Sequence, residues 1–516
     1  MTELNKENVC IGEKSVAVFS QAYCETDIIV PDVNPDIAKI LQVSTNAGIV
    51  NKSCSGDRIT IDGRADIAIL YLGDDGNVYS ITASQQFSHI IDASGAADGM
   101  YTEAEINVDN IDYTILNTRK LNIKVLMGID ANAMRDADAD ICTNLTTDEP
   151  FEILNKTLTP YRTVCRVTEQ LSIKEKLEVP SGKPSIDKIL RMDACIRDRN
   201  CSLTINKMMV QGTLYVSTVY LSDIDGKIHT TEHEIPFTEV IAMADADENM
   251  KPYLKMCVNK LYYKPEPDED GDNRFIMMEC MITANAKACC GYSVNVVQDA
   301  YCVKHPVKII RQTTSVNRLV AENTSQISSK DVVVIPDDMP EIMQIFNITP
   351  HAFLGTAKIE EKKAIIEGVI ESDIMYISPE ESCPISTYRH QQQFSHSIDI
   401  PQSSDSMVCD VQIDIVHSSF TISMGREIDL RFVLEIGINV IENENIEYIT
   451  DIENDTESAF EPTKSYCIKI YFVKKGDSLW SIAKKYRIKK DALMEINNIS
   501  ADSEMFAGRQ IMIPIK

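Results

Sequence analysis

The sequence predicts a mainly β protein with three tandem β-rich domains, each carrying a short helix, followed by a small α+β module of β-α-α-β order. Three observations predict this architecture. The 516 residues are too many for a single hydrophobic core. One pattern of prolines, glycines and aromatic residues recurs three times along the chain. The last stretch, residues 466–516, differs from the rest in both charge and periodicity.

The repeat is anchored on one proline in each copy, Pro31, Pro180 and Pro336. A second proline, two isoleucines three residues apart, a glycine, a tyrosine and a phenylalanine follow in the same order each time. These equivalent residues are Pro35, Pro184 and Pro340; Ile37 and Ile40, Ile186 and Ile189, Ile342 and Ile345; Gly63, Gly212 and Gly368; Tyr71, Tyr220 and Tyr376; and Phe87, Phe237 and Phe394. Three copies of one domain are therefore predicted, at residues 9–150, 160–310 and 316–445.

The residues of the pattern predict local structure. The second proline suits the first turn of a helix, where its missing N–H costs no hydrogen bond. Isoleucines three residues apart would then share one face of that helix. Alternating apolar and polar residues on both sides of the recurring glycine predict strands. A glycine inside such a strand indicates a bulge or a close approach of the backbone.

This pattern resembles the SPOCS domain, which occurs in tandem in spore-coat assembly proteins of spore-forming Firmicutes. The resemblance rests on the P-x-x-x-P-x-I-x-x-I segment, the glycine-containing strands and the turn around the recurring phenylalanine, and it covers about residues 9–445. It implies a cytoplasmic protein of the mother cell that lies at the forespore surface and in the spore coat.

Charge divides the chain into two parts. The net charge is −28, yet residues 464–516 carry 11 basic and 5 acidic residues. The acidic body argues against nucleic-acid binding, because phosphate contacts need a basic surface. A basic end on an acidic body indicates that the end meets a different, acidic partner. Residues 446–465, which are rich in acidic residues and contain a single proline, are predicted to form a solvated linker.

Residues 466–516 predict a compact β-α-α-β module. Residues 471–473 suit a short strand, and Asp477 or Ser478 can cap the helix that follows. A second helix opens at Asp491, and a closing strand follows Gly508. The module resembles LysM domains through its Gly-Asp-Ser-Leu-Trp-x-Ile-Ala segment, its Asn-Asn-Ile turn and its Gly-Arg-Gln-Ile-x-Ile-Pro ending.

LysM domains typically bind N-acetylglucosamine polymers in a shallow groove, so the resemblance implies a groove between two loops of this module. The basic residues nearby fit an acidic protein surface instead, and Trp480 belongs either to this site or to the small core. We favour a protein partner. The predicted binding residues are Lys474, Lys475, Gly476, Asp477, Ser478, Leu479, Trp480, Lys484, Arg487, Asn498 and Ile499.

Signatures of catalysis and of cofactor binding are absent from the sequence. Segment 181–184 lacks the first glycine of a phosphate-binding loop, and a proline follows its lysine. None of the 15 cysteines forms a C-x-x-C pair. No run of about 18 apolar residues predicts a transmembrane helix. We therefore expect no enzyme, no cofactor and no bound metal.

The two resemblances together imply a non-enzymatic spore coat morphogenesis protein. Its LysM domain would bind a coat-forming ATPase, and its repeats would contact other coat proteins and help encase the forespore. The alternative is a protein that binds peptidoglycan or wall precursors, with the repeats as a scaffold. The sequence leaves open how the repeats pack, which repeat binds which partner, the oligomeric state, the affinity for glycan and any cross-linking of the cysteines in the coat.

Overall fold

The computed structural model describes residues 3–380, 383–404, 406–454, 467–500 and 506–515. Within these ranges the chain is mainly β, as predicted, and its two helices lie in the C-terminal module. The first repeat contains six strands: β1 (Glu3–Ile29), β2 (Ile37–Ser55), β3 (Arg58–Gly73), β4 (Val78–Asp92), β5 (Tyr101–Asn117) and β6 (Lys120–Thr146).

These six strands form two antiparallel sheets with the orders β1-β6-β5 and β2-β3-β4. The inward residues of β3, such as Ile59 and Ile67, and those of β6, such as Ile123 and Met127, belong to one buried cluster. The repeat is therefore a sandwich of two three-stranded sheets, in which alternate residues of each strand face the partner sheet.

The second and third repeats have the same topology. The second contains β8 (Tyr161–Glu178), β9 (Ile186–Thr204), β10 (Lys207–Ser222), β11 (Ile228–Ala242), β12 (Lys251–Pro267) and β13 (Asn273–Gly291). It is flanked by β7 (Phe151–Leu158) and β14 (Val294–Cys302), which pair with each other as a ribbon. The third contains β15 (Val307–Val334), β16 (Gln344–Glu360), β17 (Lys363–Ile377), β18 (Ile385–Asp399), β19 (Met407–Met424) and β20 (Glu427–Asn454).

The short helix predicted after the second proline of each repeat is wrong. In the first repeat a turn follows Pro31 and leads directly into strand β2. Ile37 and Ile40 nevertheless both face the core. They do so because an extra residue between Ile37 and Lys39 shifts the register against β3, and this bulge changes the inward spacing from two residues to three. A spacing of three therefore arose from a bulged strand and not from a helix.

The recurring glycines lie where an aromatic ring crosses the strand, which confirms the predicted close approach. Each glycine is directly opposite the recurring phenylalanine of the neighbouring strand, as in the pair Gly63 and Phe87. A Cβ atom on the glycine would lie 2.3 Å from the ring in the first repeat, 2.8 Å in the second and 2.5 Å in the third. Only glycine leaves room for the ring at this distance.

The recurring tyrosine and a later arginine hold the proline turn. The tyrosine hydroxyl donates to the carbonyl of the second proline in every repeat, at 3.2 Å for Tyr71, 2.9 Å for Tyr220 and 3.0 Å for Tyr376. An arginine from the other sheet donates to carbonyls of the same turn, and the equivalent residues are Arg119, Arg274 and Arg426. Sequence comparison of the repeats missed this arginine, because its distance from the first proline differs among the copies.

The three repeats meet at an apolar cluster built from equivalent positions. Leu41, Leu190 and Phe346 are each the extra residue of a bulge near the start of the second strand of their repeat, so they face outwards from their own sandwich. They pack together with the equivalent residues Leu70, Val219 and Met375. A second cluster joins the paired strands β1–β6, β7–β14 and β15–β20. The repeats thus surround a central cavity of about 2160 Å³, which residues from all three line.

Ion pairs across the boundaries come largely from cations of the second repeat. Lys287 lies 2.8 Å from Glu103 of the first repeat, and Arg199 lies 2.6 Å from Asp414 of the third. Because these groups are partly shielded from solvent, the pairs favour the observed arrangement more than exposed pairs would.

The predicted linker starts too early. Ile446 and Ile449 are buried, and residues 446–454 belong to β20, where they pair with the start of β15. Acidic residues alternate with these apolar ones, so the segment is a half-buried strand whose charges face solvent. The remainder of the predicted linker, residues 455–465, lies outside the described residues.

Candidate binding site on the C-terminal module

The C-terminal module has the predicted β-α-α-β order. It consists of β21 (Cys467–Phe472), α1 (Leu479–Tyr486), α2 (Lys490–Asn497) and β22 (Gln510–Ile515). The two strands pair antiparallel, and both helices pack on one face of this two-stranded sheet. The core residues are Tyr471, Val473, Leu479, Ile482, Ala483, Leu493, Ile511 and Ile513.

The loop between β21 and α1 is the first of the two loops predicted to form the groove. Its own hydrogen bonds hold its conformation. Ser478 caps α1, since its hydroxyl accepts from the backbone N–H of Ser481. The Asp477 carboxylate accepts from the backbone N–H of Lys474 at 2.8 Å and from the Tyr471 hydroxyl at 2.7 Å. These two hydrogen bonds lower the pKa of Asp477. Gly476 has a φ of 91°, a conformation that favours glycine.

Most of the predicted residues around this loop and the helix ends are exposed. Lys474, Lys475 and Ser478 face solvent, whereas the Leu479 side chain is buried in the core. Arg487 and Asn498 end the two helices in the left-handed conformation.

Ile499 follows the C-terminal end of α2 and contacts it. Its backbone N–H donates to the Met494 carbonyl, and its side chain packs against the core. Residues 501–505, which continue this second loop, lie outside the described residues. The glycan groove between the two loops therefore stays a prediction.

Two predicted residues, Trp480 and Lys484, face the second repeat. Trp480 Nε1 donates to Asp299 at 2.8 Å, and Lys484 Nζ donates to both carboxylate oxygens at 2.7 Å. The Trp480 ring also packs edge-on against Tyr301, with 5.0 Å between the ring centroids. The Tyr301 hydroxyl donates to the carbonyl of Ile488 at 2.7 Å. One face of α1 is thus docked on strand β14.

Asp299 is the centre of this contact. Arg311 of the third repeat also donates to its carboxylate, so three donors from two domains converge on one side chain. Burial raises the pKa of Asp299, but the hydrogen bonds from Lys484 and Trp480 outweigh it, and the net effect is a lowered pKa. The sequence offers no signal for this role, because Asp299 is one of many acidic residues and its partners are distant in the chain.

The outer face of the module's two-stranded sheet is apolar and exposed. Alternate residues of β21 point away from the helices, and Met512 lies opposite Ile470 on the same side. Four apolar side chains on this face are between 41% and 60% exposed: Ile468, Ile470, Phe472 and Met512. We call this surface the hairpin strip. Sequence analysis missed it, because the outward residues of β21 were not distinguished from the inward ones.

The hairpin strip ends beside exposed cations. Lys474 and Lys475 follow β21 directly, and both are exposed. On the other side of the sheet, Lys485 Nζ lies 4.9 Å from the centre of the Tyr471 ring. The free surface of the module therefore combines an apolar strip with positive charge.

Comparison with protein-family models gives two matches. A model described as SipL, SPOCS domain matches residues 36–116, 185–266 and 341–423, and a LysM domain model matches residues 471–514. The chain carries three SPOCS domains and one LysM domain. Each SPOCS match covers the second to fifth strands of a repeat, so the first and sixth strands complete the second sheet outside the match. No curated protein and no solved structure matches the chain.

This combination of domains fits a sporulation coat protein with a LysM binding domain. Both families are binding domains without catalytic activity, and LysM domains bind glycans or proteins. Within the part of the chain that the structure describes, no helix is long and apolar enough to cross a membrane.

Proposed function

We propose that this chain is a non-enzymatic spore coat morphogenesis protein of the mother cell. Its LysM domain binds a coat-forming ATPase, and its three SPOCS domains provide further contacts that help encase the forespore. Linked weak contacts of this kind give high avidity without any single strong site.

The hairpin strip is the observation that carries this proposal. Exposed apolar side chains that are contiguous and bordered by charge are typical of protein interfaces. Phe472 and Ile470 offer the kind of large apolar side chains that bury well against a protein partner. Lys474 and Lys475 at its end favour a partner whose surface is acidic around an apolar centre.

The docking of α1 on β14 limits which of the predicted binding residues can contact a partner. Because Trp480 and Lys484 are held by Asp299, the partner of the docked form meets the hairpin strip and the first loop. This division leaves Lys474, Lys475 and Gly476 available among the predicted binding residues. The SPOCS body then serves as the base that orients the LysM domain.

Substitution of Phe472 tests the proposal in the full chain. Phe472→Glu places a charge in the hairpin strip without touching the core, so we expect much less ATPase to co-precipitate from sporulating cells. Phe19→Glu is the matched control, because Phe19 is similarly exposed on the first SPOCS domain and should leave recovery unchanged. Equal recovery of the ATPase with Phe472→Glu and with the unaltered chain would refute the proposal.

The glycan alternative uses a different surface, since it needs exposed polar groups such as Ser478 and Asn498 in the two loops. Asn498→Gly removes the amide but keeps the left-handed backbone. Retention of the full chain on peptidoglycan that is lost with Asn498→Gly and kept with Phe472→Glu would favour this alternative.

A further inference from the structure

Three potential metal ligands converge where the β7–β14 ribbon ends. Glu149 precedes β7, Cys302 is the last residue of β14, and His305 follows it closely. Cys302 Sγ lies 3.4 Å from His305 Nε2 and 3.8 Å from Glu149 Oε2. Glu149 Oε2 also contacts His305 Nε2 directly. Cys302 and His305 are only 2% and 5% exposed, whereas the Glu149 side chain is 34% exposed, so solvent reaches the cluster from the Glu149 side.

The hydrogen bonds around His305 orient its ring so that Nε2 points into the cluster. His305 Nδ1 lies 3.3 Å from the carbonyl of Pro306, which can only accept, so Nδ1 carries the proton. Nε2 then faces the sulfur of Cys302 and the carboxylate of Glu149, where it can donate to the carboxylate or, once deprotonated, ligate a metal ion. A histidine that is oriented by a backbone carbonyl in this way is typical of metal ligation.

Neighbouring groups fix the positions of Cys302 and His305. The backbone N–H of Lys304 donates to Cys302 Sγ at 3.4 Å. The ring of Phe151 packs edge-on against His305 and restricts its rotation. Cys302 and His305 are therefore held in place before any ion binds.

The donor set and its spacing point to one class of ion. We propose that Glu149, Cys302 and His305 bind a divalent transition metal, with Zn²⁺ as the expected occupant. Zinc takes thiolate, imidazole and carboxylate ligands at about 2.0–2.3 Å, which places tetrahedral ligand atoms about 3.3–3.7 Å apart. The two distances from Cys302 Sγ agree with this spacing, whereas Glu149 Oε2 and His305 Nε2 are in hydrogen-bond contact and must separate to admit the ion. Three protein ligands leave one position for water or another group.

The proposed ion would stiffen the surface on which the LysM domain docks. It ties the segment before β7 to the end of β14, and Asp299 and Tyr301 lie on that same strand. Val303, the residue after Cys302, packs against the LysM core. The sequence predicts no metal here, because Glu149 is 153 residues from Cys302 and the Cys-x-x-His spacing alone is a weak signal.

Metal content of the full chain tests the proposal. The chain is purified without a histidine tag, stripped with a chelator, reloaded with zinc alone and measured by mass spectrometry of the metal. We expect about one ion per chain, lost in Cys302→Ala and in His305→Ala. Cys257→Ala and His229→Ala are the matched controls and should keep the ion, because both residues lie outside the cluster.

A second measurement needs no variant and so does not depend on how well a variant folds. Cobalt added to the stripped chain should give the near-ultraviolet charge-transfer band of a thiolate ligand. Zinc should remove that band by competition. Absence of the band in the unaltered chain, or an undiminished zinc content in His305→Ala, would overturn the proposal.

Discussion

Trp480 of the LysM domain donates a 2.8 Å hydrogen bond to Asp299 of the ribbon beside the second SPOCS domain, across 181 residues of sequence. Lys484 reaches the same carboxylate from the next turn of the helix. The ring of Trp480 therefore serves domain docking in this structure, and the charge of Lys484 is neutralised by Asp299.

Removal of the Asp299 charge should release the LysM domain. Asp299→Asn keeps the shape but leaves Lys484 and Arg311 without an anionic partner, so docking should weaken by about 1–3 kcal/mol. Faster hydrogen exchange of strand β14 and helix α1 in the full chain would show the release. Asp92→Asn should change nothing, because the Asp92 carboxylate is almost fully exposed and makes only a surface ion pair. Unchanged exchange in Asp299→Asn would contradict the docking role.

Docking should resist mild acid. The pKa of Asp299 is lowered in the folded chain, so its contribution is complete above the ordinary aspartate pKa of about 3.9. That contribution is lost as the pH falls through the lower, folded pKa. Exchange protection of α1 should therefore stay constant from pH 7 down to about pH 4 and decline below it. A decline that begins near pH 6 would show that another group controls docking.

Gly368 should not tolerate a side chain. A Cβ atom there would lie 2.3 Å from the Phe353 carbonyl oxygen and 2.5 Å from the Phe394 ring. Gly368→Ala should therefore destabilise the third SPOCS domain by about 1–3 kcal/mol in denaturant unfolding. Gly437→Ala is the matched control on β20, where the nearest atom would be 3.9 Å away, and it should be neutral or slightly stabilising. Equal effects of the two substitutions would contradict the close approach.

Phe346 should couple the three SPOCS domains. It is 2% exposed and fills the cluster where the repeats meet, so Phe346→Ala should cost about 3–5 kcal/mol. Calorimetry should also show unfolding split into more than one transition, because the domains lose a shared core. Phe420→Ala, at a 43% exposed site on the same domain, should stay within about 0.5 kcal/mol. A single unchanged transition in Phe346→Ala would refute the coupling.

Much of the fold could be predicted from residues that are close in sequence. Alternation predicted the strands, and the recurring glycine predicted a close approach that the phenylalanine ring provides. The order of elements in the LysM domain followed from its caps and periodicity. The prediction of a helix containing Ile37 and Ile40 was wrong, because a bulged strand and a helix both place residues three apart on one face.

The candidate site could be predicted only in part. The first loop and the helix caps around Ser478 were predictable, because their hydrogen bonds join neighbours in the chain. The docking of Trp480 on Asp299 was not predictable, since nothing local distinguishes that carboxylate from others. The same holds for Glu149, whose contact with His305 exists only once the ribbon has formed.

By itself, the sequence determined that three like domains precede a LysM domain, because spacing between near neighbours controls turns, strands and caps. Only the tertiary structure decided how these units meet. Leu41, Leu190 and Phe346 belong to three separate sandwiches, and their common cluster forms because bulges turn them outwards towards one another. Apolar surface and charge find partners wherever the chain brings them together, and that pairing is not encoded in any local spacing.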